Sequence, residues 1–98
     1  MSGFGTEISF RLGAGTLEEA RRIARELAAA AAGCRRHVLF ADPDAGEYGC
    51  LAEWERREDA EGFATRPAVR AQIAALAERT GKEPRVRLYA MEESKLHS

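Results

Sequence analysis

The sequence predicts an α+β fold with the element order βαββαβ, and two patterns carry this prediction. Residues 6–12 and 47–54 alternate apolar with polar or small side chains, which is typical of half-buried strands. After Glu55 the apolar residues return at a spacing of three, at Ala60 and Phe63. A period of two that changes to a period of about 3.6 marks a strand that runs into a helix.

The first half of the chain predicts one strand followed by one helix. The strand covers residues 6–12 and ends at a glycine-rich turn. Thr16, with Glu19 three residues later, predicts a capping box at the start of the helix, and Gly33 predicts its end. One apolar stripe faces the sheet: Leu17, Ala20, Ile23, Ala24, Leu27 and Ala31. Its many alanines indicate either close packing on the sheet or room for a ligand between helix and sheet.

The second half predicts a hairpin, two helices and a last strand. The hairpin turn lies at residues 42–46, where Asp, Pro and Gly are concentrated. In order, the elements are a strand at 34–42, a strand at 47–54, a short helix at 58–63, a helix from Pro67 to Gly81, a strand at 84–91 and a polar tail from residue 92. We expect a single domain over residues 1–98, with loose termini at 1–5 and 93–98.

Composition and charge limit the classes of function. The 98 residues carry 15 basic and 16 acidic side chains, so there is no electrostatic basis for binding nucleic acid or an anionic membrane. No apolar run approaches the length of about 18 residues that a membrane span needs, and the N-terminus lacks a signal-peptide pattern. We therefore expect a cytoplasmic protein. Cys34 and Cys50 are expected about 13 Å apart along the hairpin, too far for a disulfide, so both are predicted to be free thiols.

The residues around Trp54 form a pattern that other proteins share. Glu53 and Trp54 end a strand, a charged turn follows, and Phe63 stands nine positions after the tryptophan in a short helix. This pattern resembles the antibiotic biosynthesis monooxygenase family, and the resemblance covers residues 6–92. Further matches lie at Gly33, Cys34, His37, Arg66 and Pro67.

The resemblance implies a ferredoxin-like βαββαβ unit with a four-stranded antiparallel sheet, which pairs with a second copy into a dimeric α+β barrel. The family includes cofactor-independent oxygenases of hydroquinones, haem-degrading enzymes, signal-molecule isomerases and members without known chemistry. Relatives that degrade haem carry an axial histidine at the position that Ile73 occupies in this chain. The resemblance therefore favours a cofactor-independent monooxygenase that acts on an aromatic hydroquinone, phenol or polyketide-type substrate. The alternative is a non-catalytic small-molecule-binding or accessory protein on the same scaffold.

Five residues are candidates for this site: His37 and Trp54 as catalytic residues, and Tyr48, Phe63 and Arg66 as substrate-binding residues. No metal site is expected, because the one histidine inside a predicted element has no cysteines or carboxylates clustered with it, and no other cofactor is expected. Trp54 either fills the core or walls an aromatic pocket, and Phe63 has no proton to exchange. Tyr48 is either a hydroxyl donor or an ordinary strand residue, and Arg66 either binds a carboxylate or phenolate or is solvated.

His37 is either a packed residue or a general base, since its unperturbed pKa lies near working pH. Its position depends on the register of the hairpin. A turn centred on Asp44 places His37 opposite Leu51, on the sheet face away from Trp54, whereas a one-residue bulge near Gly46 places it on the face of Trp54. Both registers are compatible with the sequence.

The middle hairpin is apolar on both sides, which predicts a homodimer. With the turn centred on Asp44, one side groups Val38, Phe40, Tyr48, Cys50, Ala52 and Trp54, and the other groups Leu39, Ala41, Gly49 and Leu51. The helices of a βαββαβ unit cover one face of its sheet, so a second copy is the simplest cover for the other face. The expected partners are therefore a second copy of the chain and a small aromatic molecule.

Overall fold

Residues 2–94, the part of the chain that the computed structural model describes, form four strands and three helices. In chain order they are β1 (Ser2–Arg11), α1 (Leu17–Ala29), β2 (Arg36–Asp42), β3 (Glu47–Trp54), α2 (Arg57–Phe63), α3 (Pro67–Thr80) and β4 (Arg85–Glu92). The strands make one antiparallel sheet in the order β2-β3-β1-β4. The predicted α+β class, element order and four-stranded antiparallel sheet are confirmed.

β1 is longer than predicted, because its first residues pair with both neighbouring strands. It pairs with β3 as far as Phe4 and with β4 as far as Ser2. Gly5 is buried, and a Cβ at this position would come within 2.8 Å of side-chain atoms from β3 and β4. The predicted loose terminus at residues 1–5 is therefore wrong for residues 2–5. At the other end residues 93 and 94 follow β4 without regular structure, while Met1 and residues 95–98 lie outside the described part.

α1 begins where the sequence predicts, but its cap differs. Thr16 precedes the helix, yet its Oγ1 donates to the Gly13 carbonyl oxygen at 2.6 Å and makes no bond to a helix N–H. Glu19 instead pairs with Arg79 of α3 at 3.3 Å, so the predicted capping box does not form. The predicted stripe does face the sheet, and its members Ala20, Ile23, Ala24, Leu27 and Ala31 are buried. The helix ends at Ala29, before the turn that contains Gly33.

α2 and α3 follow β3 in the chain; α2 packs on β1 and β3, and α3 packs on α1. Thr6 of β1 is buried, and its hydroxyl donates to the Ala60 carbonyl oxygen at 2.6 Å, which fixes α2 to the sheet. Pro67 occupies the first turn of α3, and Gly81 ends that helix with φ 74°, both as predicted. Among the described residues, no helix combines the length and the apolar character needed to cross a membrane.

The hairpin adopts the register that places His37 on the face of Trp54. His37 lies opposite Ala52 and Asp42 lies opposite Glu47, one residue away from the register in which His37 faces Leu51. The shift arises from a four-residue loop, residues 43–46, that needs no bulge in either strand. Because neighbouring residues of a strand point to opposite faces, this one-residue difference reassigns every side chain of β2.

The reassignment corrects the predicted composition of the two sheet faces. The helix face, against which the helices pack, carries His37, Leu39 and Ala41 together with Tyr48, Cys50, Ala52 and Trp54. The open face, which no helix covers, carries Val38 and Phe40 with Gly49 and Leu51. The prediction that Val38 and Phe40 share a face with Trp54 is therefore wrong. The hairpin is nevertheless apolar on both sides, as predicted.

β4 is the exposed edge of the sheet. Val86, Leu88 and Ala90 lie on the helix face, but no helix packs extensively against this strand. Val86 and Leu88 remain 42% and 40% exposed. The core therefore lies over β1 and β3, between these two strands and the helices.

Gly46 joins the hairpin loop to the loop before α1. Its carbonyl oxygen accepts hydrogen bonds from the backbone N–H groups of Leu12 and Gly13, at 2.8 and 3.3 Å. Its φ is +68°, and a Cβ there would lie 1.9 Å from the Gly13 carbonyl oxygen. Glycine is needed here for its conformation and for the close approach of the two loops.

Replacing Gly46 by alanine should destabilise the protein more than the same change at Gly15. Gly15 has φ +78° but nothing within 4 Å of an added Cβ, so Gly15→Ala carries only the left-handed strain, about 1–2 kcal/mol. Gly46→Ala adds the clash with Gly13. Urea denaturation of both variants measures the free energy of unfolding, and equal losses would show that the two loops are not held together at Gly46.

Candidate functional site

Three of the five candidate residues meet at the ends of β3, α2 and α1. Trp54 is the last residue of β3, Phe63 is the last residue of α2, and Arg66 precedes α3. The Trp54 and Phe63 ring centroids lie 5.3 Å apart at an interplanar angle of 50°, and each residue is 1% exposed. Trp54, Phe63 and Arg66 are called the aromatic cluster below. It forms because a short turn after β3 folds α2 back over the strand end.

Arg66 covers the two rings of the aromatic cluster and ties them to the end of α1. Its Cζ lies 5.1 Å from the Trp54 ring centroid and 5.7 Å from that of Phe63. Its Nη1 donates to the Ala30 and Ala32 carbonyl oxygens at 2.9 and 3.1 Å, just past the end of α1. A cation is favourable there, because the helix C-terminus carries unpaired carbonyls and partial negative charge. Arg66 is neither fully buried nor simply solvated.

Trp54 carries a buried donor without an acceptor. Among the described residues, its Nε1 is the buried side-chain nitrogen or oxygen that lacks a hydrogen-bond partner. An unpaired buried donor costs about 1–3 kcal/mol, so such a group needs an explanation. The far side of the indole points at Gly33, where an added Cβ would lie 3.9 Å from Cζ3. The Nε1 edge therefore points away from Gly33.

His37 lies on the same sheet face as Trp54, at diagonal positions of neighbouring strands. His37 is opposite Ala52, and residues at such diagonal positions lie about 7–8 Å apart, within reach of long side chains. The side chain is half-buried, and burial lowers the pKa of His37 below its ordinary value of 6.5. Its imidazole is consequently neutral at pH 7 and can accept a proton.

Tyr48 lies away from the other four candidates. It stands six residues before Trp54 on β3, which is about 20 Å at the rise of a strand. Its hydroxyl lies 2.9 Å from Thr16 Oγ1. Since Thr16 gives its one hydroxyl proton to the Gly13 carbonyl, Tyr48 is the donor in this bond. The hydroxyl is thus used to join β3 to the start of α1, and the predicted role of Tyr48 in substrate binding has no support from its position.

Both cysteines are free, as predicted. Cys50 is buried on the helix face, and burial raises the pKa of its thiol to about 12, so it stays protonated and unreactive. Within residues 2–94, no three His, Cys, Asp or Glu side chains come close enough together to hold a metal ion.

Two open concavities among the described residues lie away from the aromatic cluster. One lies at the hairpin end of the sheet, where Arg11, Phe40 and Tyr48 help to line it, with Lys82 and Arg85 on the far side. The other lies on the open face between Glu7, Phe40, Leu51, Tyr89 and Met91. The small residues of α1 pack against the sheet, which agrees with the close-packing interpretation of its alanines.

The fold matches solved structures over nearly the whole chain. A monooxygenase of Streptomyces coelicolor, solved in complex with the ligand nanaomycin D, aligns with a TM-score of 0.73 and 19% identity over 98% of this chain and 93% of that one. A candidate antibiotic biosynthesis monooxygenase of Chloroflexus aurantiacus aligns with a TM-score of 0.63 and 19% identity, over 98% of this chain and 97% of that one. A conserved protein of Methanosarcina mazei aligns with a TM-score of 0.69 and 14% identity, over 91% of this chain and 92% of that one.

No protein-family model matches the sequence, and no curated protein matches it. Identities of 14–19% support a common fold and leave the activity open. They agree with the resemblance that the residues around Trp54 carry. The chain therefore has the ferredoxin-like α+β fold of the antibiotic biosynthesis monooxygenase structures.

Proposed function

We propose that this protein is a small monooxygenase that oxidises an aromatic hydroquinone, phenol or polyketide-type molecule without metal, flavin or haem. The observation that carries the proposal is the buried Trp54 Nε1, which lacks an acceptor inside a cluster of two aromatic rings and an arginine. A substrate oxygen would supply that acceptor. The fold shared with a monooxygenase that was solved with nanaomycin D supports the same reaction class.

The chemistry requires a base and a stabilised anion. Neutral His37 would take the phenolic proton, and the electron-rich anion would reduce O₂ directly. One oxygen atom would enter the product as a carbonyl and the other would leave as water, with all four electrons supplied by the substrate. Trp54 Nε1 and the Arg66 guanidinium would stabilise the developing oxyanion, and the two rings would stack on the substrate.

A second function, non-catalytic binding of a small aromatic molecule, is favoured by the scarcity of acid and base groups. Phe63 cannot exchange a proton, and among the five candidate residues His37 is the one proposed as a base. Haem degradation is disfavoured, because Ile73, which occupies the position of the axial histidine in haem-degrading relatives, cannot ligate iron.

We further propose that the protein works in the cytoplasm as a homodimer joined through the open face. Phe40 and Tyr89 are 46% and 36% exposed on this face, with Val38, Leu51 and Met91 beside them. A contiguous apolar surface of this kind favours association. A second copy presenting the same face would cover it with twofold symmetry.

The activity is tested by oxygen uptake with anthrone, naphthol and hydroquinone substrates on chelator-treated protein. We expect turnover that falls at least tenfold in His37→Ala and in Trp54→Phe, because the first loses the base and the second keeps a ring but loses the Nε1 donor. Arg70→Ala, which removes an exposed arginine of α3 outside both the candidate site and the open face, should retain the rate. Absence of turnover together with tight binding of a phenol would favour the non-catalytic function.

The lowered pKa of His37 predicts a pH dependence of stability. As pH falls below about 6.5, the unfolded chain takes up a proton at this residue before the folded chain does. The free energy of unfolding should therefore fall between about 6.5 and the lower folded-state pKa, and the His37 contribution should be fully present above that range. Urea denaturation of wild type and His37→Gln across this range measures the contribution. Parallel pH profiles would contradict the burial of His37.

The dimer is tested by light scattering after size exclusion, down to sub-micromolar protein. We expect a dimer that buries roughly 2,000 Å² or more, and its dissociation in Phe40→Glu, which places a charge in the interface. Ala29→Glu puts the same charge on an exposed position of α1 and should leave the dimer intact. A wild-type protein that is monomeric and folded at every concentration would refute the dimer.

A further inference from the structure

The two rings of the aromatic cluster are covered by its third member, Arg66, which is only partly buried. Trp54 and Phe63 are each 1% exposed, whereas Arg66 is partly exposed and stacks on both rings. From this arrangement we infer that Arg66 is the gate and the specificity-determining residue of the cluster. It covers the rings when the site is empty, and it turns to pair with an anionic oxygen of a planar aromatic ligand when the site is filled. This inference rests on the proposed function only in taking the cluster as the ligand site.

The contacts of Arg66 are ones that an anion can replace. Its guanidinium bonds are both to neutral backbone carbonyls, those of Ala30 and Ala32. Within the described part of the chain, no acidic side chain forms an ion pair with Arg66, whereas ion pairs hold seven other arginines to acidic side chains. A hydrogen bond between guanidinium and carboxylate is roughly twice as strong as one between neutral groups. Exchange of the carbonyls for a ligand carboxylate or phenolate is therefore favourable, and a neutral ligand offers no such gain.

The polar groups of the cluster select the charge of the ligand. Trp54 Nε1 and the Arg66 guanidinium are donors only, and arginine stays charged at any working pH. A ligand must therefore bring acceptors, and a negative charge pairs with Arg66 best. A cationic amine would be repelled by the Arg66 guanidinium, and it would find no acceptor at Trp54 Nε1. The ligand class is consequently a planar aromatic acid, meaning a phenolate or an aryl carboxylate.

The gate is tested through Trp54, which is the one tryptophan of the chain. Acrylamide quenching of its fluorescence reports directly how well Arg66 shields the indole. We expect weak quenching in wild type and at least a threefold larger quenching constant in Arg66→Met. Arg70→Met, which removes an exposed arginine one turn further along α3, should quench like wild type. Equal quenching in wild type and Arg66→Met would overturn the gate.

A second variant, Arg66→Lys, keeps the gate testable if Arg66→Met does not fold. Arg66→Met also removes the bonds to the end of α1, so it can fail to fold. Arg66→Lys keeps a cation near those carbonyls but loses the planar group that stacks on the rings. It should fold and still quench more than wild type. If folded Arg66→Lys shields Trp54 as well as wild type does, stacking by Arg66 is not what closes the cluster.

The charge selectivity is tested with three probes that share one ring system: 1-naphthoate, 1-naphthalenemethanol and 1-naphthylmethylammonium. Calorimetry with wild type should give naphthoate at least tenfold tighter binding than the other two. Arg66→Met should abolish that preference, and Arg70→Met should keep it. Equal binding of the three probes, no binding of any, or a preference that survives Arg66→Met would each overturn the proposal. Neither arm requires turnover, so the gate and the oxygenase activity can fail separately.

Discussion

The packing of Trp54 is the contact on which the rest of the structure depends. The indole ends the central hairpin, stacks against the end of α2 through Phe63, and lies under the arginine that holds the end of α1. Two elements that follow each other in the chain, β3 and α2, thus meet the distant end of α1 on one side chain. The register of the hairpin brings His37 to the same face of the sheet as Trp54, because His37 lies opposite Ala52. Packing and candidate chemistry therefore share one set of residues.

The proposed site gives a reason for a buried polar atom that packing alone does not explain. A core built only for stability would contain a phenylalanine at position 54 or an acceptor for the indole N–H, since an unpaired buried donor lowers stability. The chain has neither. An unpaired buried donor calls for an explanation, and the proposed ligand would supply the missing acceptor to a cluster whose polar groups are donors only.

The sheet divides the molecule into two surfaces with different roles. The helix face is filled by α1 and α2 over β1 and β3, and the candidate site lies at one end of it. Phe40 is exposed on the open face, and Val86 and Leu88 of the edge strand β4 are exposed on the helix face. Apolar surface is therefore uncovered on both faces of the sheet. The similar solved structures share the fold at 14–19% identity, so their activities bear on this chain only through the residues it actually carries.

Much of the fold was determined by local sequence. The change of period after Glu55, Pro67 in the first turn of α3 and Gly81 at its end specify their elements through backbone preferences that act within a few residues. The proximity of Trp54 and Phe63 follows equally locally, because a short helix directly after a strand must fold back on it.

The tertiary structure decided what local patterns leave open. The register of the hairpin depends on the length and conformation of one loop, and both registers satisfy the alternation of β2 and β3. The early start of β1 depends on pairing partners that lie far along the chain. The partners of Arg66 are the carbonyls of Ala30 and Ala32, and a backbone carbonyl has the same chemistry at every residue. No sequence pattern can mark such a partner, so only the folded chain shows that Arg66 closes over Trp54.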